Sequence, residues 1–284
     1  MRRTILFLGL ILFANASLHA QKKPEVGIAQ PFEKDSLVNA MGYRYLVETV
    51  AKALLPPDVT DAQLSKHLQK MKNLKTKLYA VNVFIPGTIK VVGPEISEVA
   101  LLSYVEIVFQ HAKAAGVNLI VWGSGGSRKI PEGFDKTKAK DQFISNAKKV
   151  AVLAKKYKIT LALENLNSTE TNFINTLQEA LDVVKKVDHP NFRLCADIYH
   201  MLKEGEPASV IEQTGNYLVH CDLAEKENRA APGVTKENFV PYLKALKKVN
   251  YKGKLILECQ WKDIAGQGWP ALKYVQQQLD EAYR

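Results

Sequence analysis

Glu164, Asp197, Asp222 and Glu258 each close a short, mostly apolar run: LALE (161–164), LCAD (194–197), LVHCD (218–222) and LILE (255–258). A carboxylate taken out of water without a partner is costly. Four in one place would repel unless some were protonated or a cation sat among them. A divalent cation resolves that conflict, and an all-oxygen shell suits hard ions such as Mg²⁺, Mn²⁺ or Ca²⁺. The competing arrangement is four separate pairings with Arg or Lys. Four acids at equivalent positions favour a shared site. Such a site supports metal-assisted polarisation of oxygen and proton movement by a carboxylate. His200 follows Asp197 by three residues, and His220 precedes Asp222 by two. Period-two geometry puts His220 on the same face as Asp222. It could support Asp222, ligate in its place, or simply pack.

The elements that must carry these acids alternate along the chain. Strand-like segments lie at 25–30, 43–49, 77–85, 117–123, 159–166, 192–198, 217–223 and 254–260. They are apolar without clean alternation, as parallel strands covered on both faces are. Helix-like segments lie at 60–74, 95–116, 138–158, 173–187, 237–250 and 271–283, with weaker ones at 36–41 and 207–214. Thr60 with Asp61, and Thr235 with Glu237, read as helix starts, and Gly116 as a helix stop. Eight βα units over about 264 residues predict a single (β/α)₈ TIM barrel. A doubly wound sheet would want a Gly-rich first turn, and QPFEKDS (30–36) has no glycine. In a barrel, reactive groups sit at the carboxyl ends of strands, where the four acids fall.

The segment VWGSGGSRKIPEGFD (121–135) follows strand four. Its glycines would let backbone amides approach a ligand, and Arg128 adds charge. A plain turn explains it as well. Trp122 faces either the mouth, as a platform for a sugar ring, or the helix layer.

Glu164-x-x-Asn167-x-x-Glu170, Asp197-x-x-His200, His220 with AEKENRAAPG (224–233), and LILECQW (255–261) together resemble the xylose isomerase-like TIM-barrel superfamily, in particular its sugar isomerase/epimerase branch with the ketose 3-epimerases. The likeness covers most of the chain and is strongest over 118–262. It implies one divalent ion (manganese, magnesium or cobalt) held by two Glu, one Asp and one His. Glu164, Asp197 and Glu258 match three of those positions. Asp222 stands where the ligand His would be, so either a carboxylate replaces it or the ion is altered or lost. The resemblance implies proton transfer next to a carbonyl through an enediolate, with Glu164 and Glu258 in opposed acid–base roles. It places Glu170, His200 and Arg229 against substrate oxygens. For these three, a rim acid, a helix cap and a solvated loop charge are the competing readings.

The ends bound the setting. Arg2 and Arg3, an apolar run from Ile5 to Phe13, and small residues near Ala16 and Ala20 read as a secretory signal over 1–20, leaving a barrel over 21–284. The expected location is periplasmic or secreted, with no membrane span after signal removal. An exported enzyme meets few phosphorylated sugars, so a free sugar, keto-sugar or glycoside is the expected partner. A lyase acting on oxidised glycosides, or a sugar-binding inactive relative, would fit the same residues. Setting aside Arg2 and Arg3, 37 basic residues face 29 acidic ones, a net +8. The lysines are scattered along helices, which disfavours nucleic acid as a partner. A nuclease on this fold would also want more histidines than the six present. Cys195, Cys221 and Cys259 are an odd number inside apolar runs and read as packing. A homo-oligomer is compatible with all of this.

Overall fold

A computed structural model of the chain describes residues 21–55 and 59–284; the signal expected over 1–20 lies outside the described residues. Eight parallel strands close into a barrel. They are β1 (Val26–Ala29), β2 (Tyr45–Thr49), β3 (Lys77–Asn82), β4 (Leu119–Trp122), β5 (Thr160–Glu164), β6 (Phe192–Asp197), β7 (Leu218–Leu223) and β8 (Leu255–Leu257). The ring shuts where β8 pairs with β1, Val26 opposite Leu255 and Ile28 opposite Leu257. One main helix follows each strand: α1 (Asp35–Ala40), α2 (Asp61–Lys72), α3 (Glu98–Ala115), α4 (Lys136–Tyr157), α5 (Leu177–Val187), α6 (Ile198–Glu204), α7 (Val240–Lys248) and α8 (Ile264–Ala282). No described helix is long and apolar enough to cross a membrane.

The local signals act as expected in two places. Thr60 and Gln63 form a reciprocal capping box at the start of α2. Gly116 ends α3 in the left-handed region, φ 71°. In other places the boundaries differ. The expected start at Thr235 and Glu237 is not one: α7 begins at Val240, and both upstream residues bond instead to the Glu225 carboxylate. The last helix starts at Ile264, capped by Asp263, seven residues before the expected 271. The apolar run through Ile198 conceals the join between β6 and α6.

Strand parity sorts the side chains into two cores. Val47, Ala80, Leu119, Val121, Ala162, Cys195 and Ile256 fill the barrel interior. The larger cluster lies between barrel and helices and takes in the alternate residues. Two residues beyond Ala162, Cys195, His220 and Ile256 come Glu164, Asp197, Asp222 and Glu258. The same parity therefore aims all four acids into the upper end of the ring.

Trp122 has the opposite parity. It is fully buried in the helix layer, with its ring 5.4 Å from Phe84, 5.3 Å from Phe143 and 6.0 Å from Phe192. It does not line the mouth, and the sugar-platform reading is corrected: Val121 takes the inward place on β4. Trp122→Ala is expected to cost about 3–5 kcal/mol of stability by denaturant unfolding, as deletion of a large buried aromatic does.

Candidate active site

The strand ends deliver the four carboxylates to one point. One oxygen from each of Glu164, Asp197, Asp222 and Glu258 lies within 4.8 Å of the others. The first three are buried, and Glu258, just past the end of β8, keeps 24% of its side chain exposed. This crowding shows in their acidity. Burial, then the facing Glu258, Asp197 and Asp222, pushes Glu164 well above the usual carboxylate range. Burial also lifts Asp197 to about 7 and Glu258 to about 7, with Arg229 opposing in both cases.

Each acid is fixed from behind. Asp197 caps α6, its Oδ1 accepting the His200 amide at 3.2 Å. Its Oδ2 is buried without an aligned hydrogen bond. Asn165 clasps the Asp197 backbone on both sides, donating Nδ2 to its carbonyl at 3.2 Å and accepting its amide at 3.0 Å. Asn82, at the end of β3, donates to Glu258 Oε1 at 2.6 Å. The fully buried Arg128 donates to the Glu164 carbonyl at 2.9 Å and to the carbonyls of Trp122 and Ile174. Burial lowers this guanidinium to about 10. Arg128 is therefore a brace beneath Glu164, not a charge offered at the mouth. Gly123 leaves room for the Glu164 carboxylate: a Cβ there would overlap Oε2. Gly123→Ala is expected to keep the fold, because the carboxylate can swing away. Turnover should still fall by about tenfold or more, since small misplacements are expensive in catalysis; circular dichroism beside a rate assay checks both halves.

Arg229 reaches into the cluster from the loop after β7. It pairs with Glu258 Oε2, donates Nε to the Glu258 carbonyl at 3.0 Å, and places Nη2 3.5 Å from Asp197 Oδ2. Nη1 meets Glu170 Oε1 at 3.4 Å, and the guanidinium lies 4.7 Å over the Tyr199 ring. Burial acts to lower it, but Glu258, Asp197, Glu164 and Glu170 outweigh that and raise it. Asn228 and Arg229 both adopt positive φ, 56° and 49°, which turns the side chain inward.

His200 is buried, its Nε2 3.3 Å from Asp197 Oδ2 and 3.9 Å from Glu164 Oε1. Its Nδ1 accepts the Asn167 amide at 3.0 Å, which leaves the ring proton on Nε2, facing the acids. Burial, with Arg229 adding to it, lowers the ring to about 3, so it stays neutral. Glu170 sits at the rim against Asn167 and Arg229. His220 lies one layer down, Nε2 2.9 Å from Asp222 Oδ1. Of the candidate site residues named from sequence, only Trp122 falls outside this neighbourhood. Sequence reading gives no role to Asn82, Asn165 or Tyr199; Cys195 reads there as packing, Gly123 as part of a ligand-approach or turn segment, and Asn167 only as part of a motif. Asn82 carried a signal, as a polar residue at the C-terminal end of an otherwise apolar strand.

The donor set fits a hard divalent ion: four carboxylates at one point, a buried Asp197 oxygen lacking an aligned partner, and a glycine that keeps Glu164 unobstructed. A family model described as "Xylose isomerase-like TIM barrel" matches residues 36–281. A D-psicose 3-epimerase of Ruminiclostridium cellulolyticum is 34% identical over 119 residues, 42% of this chain and 40% of that protein. The aligned parts span about two-fifths of the length of the curated relatives first matched. The solved D-psicose 3-epimerase with D-tagatose from Clostridium cellulolyticum H10 superposes with a TM-score of 0.74 at 22% identity, over 91% of this chain and 98% of that one. The apo 3-keto-D-glucoside 4-epimerase of E. coli gives 0.76 at 18%, over 90% and 100%. At those identities the superpositions speak for the fold. With nearly the whole barrel matched, the chain belongs to the xylose isomerase-like TIM-barrel family.

Proposed function

We propose that the protein is a divalent-metal-dependent sugar isomerase or epimerase that moves a proton on the carbon beside a carbonyl, acting on a non-phosphorylated sugar or keto-glycoside. The observation that carries this is the meeting of Glu164, Asp197, Asp222 and Glu258 within 4.8 Å at the end of the barrel where the β-strands terminate. Mn²⁺ or Mg²⁺ held by these four, when bound, would polarise the substrate's carbonyl and hydroxyl oxygens and lower the cost of the enediolate.

The chain's own groups perform the proton transfer. Glu164 and Glu258 come from strands three places apart in the eight-membered ring, so they approach a bound sugar from different sides. One carboxylate takes the carbon-bound proton, leaving an enediolate. The other delivers a proton to the opposite face, which inverts the centre, or to the neighbouring carbon while the hydroxyl proton passes to the other enediolate oxygen, which shifts the carbonyl. Burial lifts Glu258 to about 7 and raises Glu164 as well, which moves both away from permanently ionised carboxylates and towards groups that can carry a proton. Neutral His200, with its proton on Nε2, is placed to donate to a sugar oxygen. Arg229 and Glu170 close over the remaining hydroxyls. The secretory-signal reading of 1–20 supports export and so a sugar without phosphate.

The test is exchange in D₂O. D-Psicose, D-tagatose and D-fructose incubated with Mn²⁺-loaded protein are expected to take up deuterium at the carbon next to the carbonyl in at least one case. A wider panel would include 3-keto-glycosides. No deuterium in any member of the panel would sink the proton-transfer reading.

A further inference from the structure

We propose that Cys195 and His220 are positioning residues for Asp222, holding both of its oxygens from beneath so that a carboxylate at this place serves as a pre-oriented cation ligand. This rests on the cation-binding reading above. Asp222 Oδ1 lies 2.9 Å from His220 Nε2, and Cys195 Sγ donates to Oδ2 at 3.3 Å. Both donors come from the layer immediately below: His220 is two residues earlier on β7, and Cys195 pairs with it across β6 and β7. Cys195, His220 and Asp222 are all buried.

The imidazole is itself held. Tyr79 stacks on it at 5.8 Å with planes 18° apart, Tyr45 meets Tyr79 edge-on at 6.0 Å, and the Tyr79 hydroxyl accepts the Lys254 amide at 3.4 Å. His220 Nδ1 is buried with no partner among the described residues. The ring's one polar contact is therefore Asp222, and a contact with a carboxylate oxygen puts the proton on Nε2. Cys195 is a free, fully buried cysteine whose Sγ points at Asp222 Oδ2, and a thiol facing a carboxylate oxygen can only donate to it.

A side chain kept only to fill this interior would be apolar, as Val121, Ala162 and Ile256 are in the same cluster. Each carboxylate oxygen accepts in two directions. The donors below take one on each oxygen. The other two remain for the mouth, where Glu164, Asp197 and Glu258 gather. Asp222 thus enters binding with its orientation already set. Partners of this kind commonly matter by about 10–100-fold in metal affinity.

The experiment is a Mn²⁺ titration of the EDTA-stripped full-length chain, reading free Mn²⁺ by its EPR signal, with circular dichroism as a check on folding. Cys195→Ala and His220→Phe remove a donor; Cys195→Ser and His220→Gln retain one. The donor-removing variants are expected to bind Mn²⁺ about 10–100-fold more weakly, and the donor-retaining variants within about threefold of wild type. Equal weakening of Cys195→Ser and Cys195→Ala would mean packing, not donation, and would overturn the proposal. So would wild-type affinity in Cys195→Ala and His220→Phe. If His220→Phe fails to fold, the Cys195 pair decides. A wild-type protein that binds no Mn²⁺ removes the cation reading itself, and this inference with it.

Discussion

Glu164→Gln and Glu258→Gln are each expected to cut product formation by about 10²–10⁴-fold, the usual worth of a positioned acid or base. Glutamine keeps the shape and removes the proton-carrying oxygen. The two variants should differ in a second readout. For a sugar of one configuration, losing the carboxylate that takes the proton stops everything. Losing the one on the far face leaves the first abstraction intact. Deuterium then still enters the starting sugar, with retention, while no epimer accumulates. The assignment should swap when the reaction is started from the other epimer. Proton NMR of the carbon beside the carbonyl reads both quantities in one tube. If both variants turned over at the wild-type rate, the proton carriers would lie elsewhere. A Mn²⁺ titration of each variant separates lost chemistry from lost cation.

The second large effect is a stability profile that depends on both pH and metal. In the ion-free cluster, Asp197 and Glu258 are lifted to about 7, and Glu164 is lifted as well. Unfolded, these groups titrate near the ordinary value of about 4. Between about pH 4 and pH 7 the folded chain therefore holds more protons than the unfolded one. By linkage its stability falls as pH rises through that window. Their favourable contribution is complete below pH 4 and is lost as pH passes about 7. A bound divalent cation reverses the balance, since it favours the ionised carboxylates and releases their protons. Mn²⁺ at a hundred times its dissociation constant should add about 2.7 kcal/mol, or roughly 5–10 °C in Tm for a domain of this size. That gain should be large at pH 8 and small at pH 5. Thermal melts with EDTA and with Mn²⁺ across this range check it, and a gain independent of pH would mean the ion binds elsewhere.

The barrel and the converging acids were legible in the sequence for one reason. A strand that ends on a carboxylate after a buried run shows both its direction and its inward parity. Glu164, Asp197, Asp222 and Glu258 all carry that mark. Trp122 carried none. Strands covered on both faces are apolar at every position, so Val121 and Trp122 look alike until the ring is closed. The inward turn of Arg229 depends on positive φ at Asn228 and Arg229, neither of them a glycine, and so has no sequence signature. The failed helix start at Thr235 and Glu237 has a tertiary cause: Glu225 captures their amides from ten and twelve residues away. Cys195 reads as a packing residue because the partner that gives its thiol a second use lies on the next strand, 27 residues on.

Glu225 has a wider consequence. One buried side chain accepts from the amides of Gly233, Thr235 and Glu237 and from the Thr235 hydroxyl, while its own amide donates to the Ala230 carbonyl at 2.9 Å. The chain that presents Arg229 is fastened at two points: Glu225 holds the returning limb, and the Gln260 amide donates to the Arg229 carbonyl at 2.7 Å. Its exposed tip, 226–228, can vary in residue type without disturbing either fastening. New substrate preferences are thus open to evolution, or to a protein engineer, by rewriting a few exposed positions beside Arg229 while the staves and their acids stay as they are.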